Sequence, residues 1–216
     1  MKRLLFTAAI AATTLAACTD SGTGSKHDNH DSTMHNHATP ADASLQSSND
    51  MQRIMGKIMA DMRAMNPSGN PDHDFAAMMI SHHQGAIEMA KAELVGGIDA
   101  QIRKMAQDIV AAQEKEIAEM QHSMAALPAG KPGTNAEAYE ALMGSMGRMM
   151  HSAPASGKPD RDFVQAMIPH HEGAVEMAKV ELRYGRDAKL KAMAQKIIDD
   201  QTREIAEMKA WLQANP

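Results

Sequence analysis

Cysteine is nearly absent: Cys18 is the only one in 216 residues. No internal disulfide can staple the fold, and thiolate clusters of the structural-zinc kind are excluded. Aromatic residues are also scarce, with three Phe, two Tyr and one Trp. The formal charge is −5, so there is no excess of basic residues either. A chain without stacking platforms or a positive surface is not a nucleic-acid binder. His-Glu-x-x-His, Gly-x-Ser-x-Gly and phosphate-loop motifs are all missing, and no catalytic nucleophile presents itself.

Methionine is what the sequence has in excess. There are 21 Met against 10 Leu. Met is a flexible gap-filler that specifies a core poorly, so a chain that prefers it to Leu has another use for thioethers. The charged fraction of 23% and hydrophobic fraction of 44% are otherwise those of an ordinary globular protein.

The first residues read as an export signal. Met1-Lys2-Arg3 is a basic start, and residues 4–17 form an apolar run too short to cross a bilayer comfortably. Leu15-Ala16-Ala17-Cys18 resembles a bacterial lipobox, which implies cleavage after residue 17 and lipidation of Cys18. Thr19, rather than Asp, follows the cysteine and favours the outer membrane as the anchor site. The expectation is a periplasm-facing lipoprotein of the bacterial cell envelope. Loss of Lys2 and Arg3 with the leader takes the charge from −5 to −7. Residues 18–50 hold almost no large apolar side chain and read as a disordered tether. Within it, His27, His30, Met34, His35 and His37 form a compositional metal-binding tract suited to capture of Cu(II), Zn(II) or Ni(II).

A duplication sets the architecture. Pairing residue i with i+88 aligns 51–124 with 139–212 without a gap, and 34 of the 74 positions are identical. Repeat 1 spans residues 51–127, a linker 128–138, and repeat 2 residues 139–216. Each repeat begins with a short Met-rich helix, carrying Met51, Met55, Met59, Met62 and Met65 in the first copy and Met143, Met146, Met149 and Met150 in the second. Pro71-Asp72 and Pro159-Asp160 open a long helix that Gly96-Gly97 and Gly185 close. Asp99 and Asp187 read as N-caps of a further helix in each copy. The apolar period is helical throughout, which predicts an all-α fold: a four-helix bundle of two repeated helical pairs, with the short Met-rich helices across or capping it.

The long helix carries the chemistry. At roughly 100° per residue, Met79, His82, His83, Ala86, Met89, Ala90 and Glu93 fall within about 120° of one another. His83 is one turn from Met79, so thioether and imidazole can meet on one ion. Met167, His170, His171, Met177 and Glu181 repeat the register. Gln113, Glu116 and Met120, with Gln201, Glu204 and Met208, recur on a face of the following helix that could look towards the histidines. Met55, Met59 and Met62 are further candidates. Pro169, where the first copy has Ser81, bends the helix beside His170; it is read either as a tolerated kink or as a device that opens the site. Thioether is a soft donor that suits Cu(I), imidazole accepts either copper state, and silver is the chemical mimic. Calcium and magnesium would want clustered carboxylates.

The segments Phe-x-x-x-Met-Ile-x-His-His-x-Gly-Ala-Ile/Val-Glu-Met-Ala and Gln-x-x-Glu-Ile-x-x-Met resemble the domain of unknown function 305 family, with its CopM-like copper-binding members. The resemblance covers both repeats. It implies a ferritin-like helical bundle, export, and copper or silver binding through Met79, His82, His83, Met89 and Met120 with Met167, His170, His171, Met177 and Met208. Met78 and His73 become Ala166 and Arg161 in the second copy, and His122 has no counterpart, so these are not shared ligands. The expected function is non-enzymatic sequestration of Cu(I), with Cu(II) also accepted, for copper homeostasis or resistance. A copper-delivery protein is the candidate partner. Two alternatives stand beside it. A ferritin-like oxidase or redox enzyme would need Glu-x-x-His twice, and Glu119-Met-Gln-His122 has no second copy. A structural envelope lipoprotein would use its Met only for packing. Imidazoles bind as neutral ligands, so affinity is expected to fall below about pH 6.

Overall fold

Prolines, aspartates and one asparagine set the helix starts. The structure, a computed structural model, describes residues 40–128, 130–131, 133–147 and 154–216, with side chains from residue 49 onwards. Its six helices are α1 (Pro40–Arg63), α2 (Pro71–Gly96), α3 (Ala100–Ala126), α4 (Ala136–Ser145), α5 (Pro159–Tyr184) and α6 (Ala188–Ala214). No strand occurs among the described residues. Asn70 caps α2 by accepting from the N–H groups of Asp72 and His73, with Pro71 in the first turn. Asp99 and Asp187 cap α3 and α6 as the sequence indicates. Cys18 and the His27–His37 tract lie outside the described residues, as do Met149 and Met150.

The first Met-rich helix is not short. α1 has 24 residues and begins at Pro40, so residues 40–50 are helical where a disordered tether was expected. Nucleation is the unfavourable step in helix formation. Once Met51, Ile54, Met55, Ile58, Met59 and Met62 are buried, the helix extends N-terminally through good formers such as Ala41, Ala43, Leu45 and Gln46. Pro40 is tolerated because it occupies the first turn.

α2 packs on α3, α5 packs on α6, and α2 and α5 pack on each other at the centre. α1 lies across both central helices, while α4 sits mainly on α5. α3 and α6 scarcely touch. The bundle of two helical pairs is therefore present, with α1 as a full fifth helix. Its seat is Gly85, where a Cβ would lie 1.9 Å from Cδ1 of Ile58 and 3.5 Å from Nε2 of His170. α1 thus presses on the level of the paired histidines.

Reciprocal contacts between the repeats fix α2 and α5 antiparallel. Asp160, at the start of α5, accepts from the N–H groups of Ile98 and Asp99 at 3.0 and 2.8 Å. Asp72, at the start of α2, accepts from those of Arg186 and Asp187, both at 2.7 Å. Each aspartate thus satisfies backbone donors of the other repeat's inter-helix loop. Glu93 and Glu181 sit behind these clasps, buried, with no donor hydrogen-bonded to either carboxyl. Burial, reinforced by the carboxylate of Asp160, pushes Glu93 up to about 9; burial and Asp72 do the same for Glu181. Each glutamic acid is neutral at pH 7, since burial and the neighbouring aspartate both disfavour its charged form. Gly97 and Gly185 leave room for this: a Cβ would lie 1.7 Å from Oε1 of Glu93 and 2.2 Å from Oε1 of Glu181.

The folded state therefore holds two protons that the unfolded chain releases near the ordinary carboxyl value. The stability they confer is fully present below about pH 4.5 and is lost as pH rises towards about 9. Replacing Glu93 and Glu181 by Gln should flatten that decline, so the double variant gains melting temperature over the parent at pH 8.5 more than at pH 5. Parallel melting curves across this range would show that the carboxyls are not protonated in the fold.

Candidate metal centre

All ten Met and His residues of the expected ligand set are fully buried: Met79, His82, His83, Met89, Met120, Met167, His170, His171, Met177 and Met208. The thioethers belong to one continuous core with Met55, Met59 and Met62 of α1. Across the α2–α5 interface the rings of His82 and His170 stack at a centroid distance of 3.7 Å, tilted by 40°. Neither ring nitrogen of either histidine has a hydrogen-bond partner. Burial, with smaller contributions from neighbouring imidazoles, holds both well below the usual histidine range, so both rings are neutral. Their lone pairs consequently persist into stronger acid than the sequence-based limit near pH 6 implies.

His83 and His171 are held differently. Nε2 of His83 lies 2.9 Å from Oε2 of Glu116 on α3, and Nε2 of His171 lies 2.8 Å from Oε2 of Glu204 on α6. With Nε2 hydrogen-bonded to a carboxylate, Nδ1 is the ring nitrogen left over, and Nδ1 of both histidines is unpartnered. This carboxylate–imidazole arrangement is how metal-binding histidines are oriented and made more basic. Burial pushes the Glu116 carboxyl up, but the hydrogen bonds and charges of His83 and Lys196 outweigh it and hold the group below its ordinary value.

The His83–Glu116 contact sets the level of α3 against antiparallel α2. Met79 lies one turn towards the start of α2 and Met120 one turn towards the end of α3, so the two thioethers share a level beside His83. Met167 and Met208 stand likewise beside His171. Met89 and Met177 are six residues past the second histidine of each copy, about 9 Å further along the axis. Glu93 and Glu181 are ten residues past it, about 15 Å away, and stand behind the Asp160 and Asp72 clasps rather than in the imidazole cluster. Gln113 and Gln201 are buried with free Oε1 atoms, one turn from Glu116 and Glu204.

Glu119 and His122 face solvent, so the Glu-x-x-His segment does not point into the bundle. His73 is half-exposed. Pro169 is buried within an uninterrupted α5, and His170 beside it is as fully buried as His82. The proline does not open the site.

Among the described residues, no three His, Cys, Asp or Glu side chains form a complete metal shell. The imidazoles come in twos among buried thioethers, with the carboxylates of Glu116 and Glu204 bonded to two of them. The nitrogen and sulfur donors suit soft, low-coordinate cations, whereas hard cations require a cluster of oxygen ligands. Sequence reasoning ranked Glu116 and Glu204 behind the methionines, whereas they are direct partners of the histidines. It missed the clasping roles of Asp72 and Asp160, whose partners are distant in sequence, and it missed Lys196.

The fold is a helical bundle with buried imidazoles and thioethers at its centre. The domain of unknown function DUF305 matches residues 13–124 and again residues 72–212, and the chain belongs to this family. No functionally curated protein matches the sequence. Among solved structures, CopM in its apo form is 30% identical over 67% of this chain and 97% of its own, with a TM-score of 0.51. CopM in a Cu(I)-bound form is 31% identical over 66% of this chain and 96% of its own, also at 0.51. CopM structures with Ag and with Cu(II) bound match as well. A DUF305 fragment from Deinococcus radiodurans, at 23% identity over 69% of this chain and 99% of its own and a TM-score of 0.51, shares the fold.

Four buried, unsatisfied nitrogens in the His82–His170 stack should destabilise the metal-free protein. Replacing both residues by Leu is expected to raise its stability by about 1–3 kcal/mol, the usual effect of relieving unpaired buried polar groups. Chemical denaturation without metal checks this, and a loss of stability would mean that the stack is a structural element of the core.

Proposed function

We propose that this chain binds copper and silver in its helical core and acts as a non-enzymatic store of Cu(I) in the bacterial envelope. The observation that carries the reading is the pair of stacked, neutral histidines with unpartnered nitrogens inside a thioether core. Buried polar groups are ordinarily satisfied, and a cluster of exceptions at one place is what a ligand set looks like without its ion. Similarity to CopM, solved with Cu(I), Cu(II) and Ag, supports the choice of metal. Soft thioethers favour Cu(I) over Cu(II), and they survive in an oxidising compartment where thiolates would be consumed.

The deployment follows from the sequence. Lipidation at Cys18 would hold the protein at the periplasmic side of a membrane, the outer membrane by preference, with the His27–His37 tract as a first capture site. No helix among the described residues is long and apolar enough to cross a membrane. A copper-delivery protein would supply or withdraw the ion.

The test is an anaerobic titration of residues 19–216 with Cu(I) against a chromophoric chelator. Binding of more than one equivalent is expected, and it should be lost when His82, His83, His170 and His171 are changed to Ala. Equal weak binding by both proteins would leave only the histidine tract and would sink the proposal. A finer outcome concerns the carboxylates. Glu116→Gln and Glu204→Gln should each weaken Cu(I) binding about 10–100-fold, the usual effect of removing the partner that orients a metal-binding imidazole. Affinity unchanged in both variants would remove these carboxylates from the site.

A further inference from the structure

A fully buried ligand set needs a route to it, and the seam between α3 and α6 is where the bundle is least closed. A cleft of about 170 Å³ runs along it, with Asp108 and Asp200 at its sides and Gln113, Gln201, Glu116 and Glu204 within it. Gln113 and Gln201 are each 3% exposed and keep an unpartnered Oε1. Glu116 and Glu204 are the groups that hold His83 and His171. The cleft therefore joins solvent to both His–Glu pairs through oxygen donors that could carry a cation in stages.

Its two ends are not alike. At one end Nζ of Lys196 lies 2.9 Å from Oε1 of Glu116 and 2.7 Å from Oδ2 of Asp200. The position matching Lys196 in the first repeat is Asp108, an acid, whose charge is taken by Lys104 on its own helix. At the other end, among the described residues, no lysine from the facing helix bonds the carboxylate of Glu204, and Arg203, which also lines the cleft, pairs with Asp200 at 2.9 Å and Glu207 at 3.9 Å. The side chain of Glu204 is 18% exposed, against 7% for Glu116.

We propose that the α3–α6 cleft is the admission route for the soft monovalent cation, and that Lys196 is the latch that makes it asymmetric. The ion reaches the Glu204–His171 half directly. It reaches the Glu116–His83 half only when the Lys196 ammonium swings off Glu116, since a fixed positive charge there repels the incoming one and occupies the carboxylate that would receive it. Lys196 is half-exposed, so this movement is a side-chain rotation that leaves the helices in place. It touches no proposed ligand nitrogen or sulfur and is a positioning residue for uptake. The inference rests on the proposed storage function.

Stopped-flow mixing of the full chain with Ag(I), and separately with anaerobic Cu(I), tests it, followed by near-UV absorbance beside an equilibrium titration. The parent should load in two phases. Lys196→Met keeps the aliphatic stem and should speed the slow phase about tenfold, the factor set by one charge-assisted hydrogen bond of ordinary strength, with stoichiometry unchanged. Asp108→Lys installs the missing latch opposite Glu204 and should slow the fast phase by a similar factor. This second substitution is on the surface and decides the matter if the first perturbs folding. Parent-like rates in both variants would overturn the route, while the equilibrium titration still reports binding. A parent that takes up neither metal would overturn the storage function itself.

Discussion

The central constraint on this bundle is two imidazoles held against each other in a dry core with nothing bonded to their nitrogens. His82 and His170 meet at 3.7 Å across the central helix pair. Everything around them limits the ways in which that unsatisfied pair could be relieved. Gly85 lets Ile58 of α1 close over the level of the stack, which excludes water. The antiparallel clasps of Asp72 and Asp160 fix the ends of α2 and α5, so the helices cannot slide to separate the rings. Neutrality follows from burial, since charging either ring would place a cation in a low-dielectric interior.

Much of this was legible because the relevant patterns are local. The duplication, the helix starts at Pro71 and Pro159, the caps Asp99 and Asp187, and the doubled Met-x-x-His-His register all lie within short stretches. What remained hidden involves the third dimension. A helical projection places Glu93 on the same stripe as His83 because it collapses the axis, yet ten residues of rise take it to the end of the bundle. There it serves a different partner, Asp160, from the other repeat. Asp72 reads locally as a first-turn acid, and nothing near it in the sequence announces the backbone groups 114 and 115 positions away that it binds. The extension of α1 to Pro40 was missed because its polar composition suggested a tether, while the helix propagates from a buried stripe further along.

The two kinds of buried carboxyl show how position decides chemistry. Glu93 and Glu181 face another carboxylate and receive no donor, so they keep their protons and act as neutral connectors between the repeats. Glu116 faces an imidazole and an ammonium and keeps its charge. Only the charged kind can polarise a ring nitrogen on the far side of an imidazole, and that kind stands next to the histidines. The carboxyl-only ends and the middle of the bundle, where nitrogen and sulfur are added, are therefore chemically different, and only the middle offers donors suited to a soft cation.

Duplication alone would give a symmetric core with two equivalent halves. The ten proposed ligands obey that symmetry in residue type, from Met79 and Met167 through Met120 and Met208. The departures lie outside them: Lys196 against Asp108, His122 against Ala210, Pro169 against Ser81. In the proposed centre, a mutation at a ligand would disable one half, whereas a mutation at the rim would leave the donor set intact and change how that half is reached. The charge reversal between Asp108 and Lys196 acts at the opening of the seam, so the two halves can differ in accessibility while their donors remain the same.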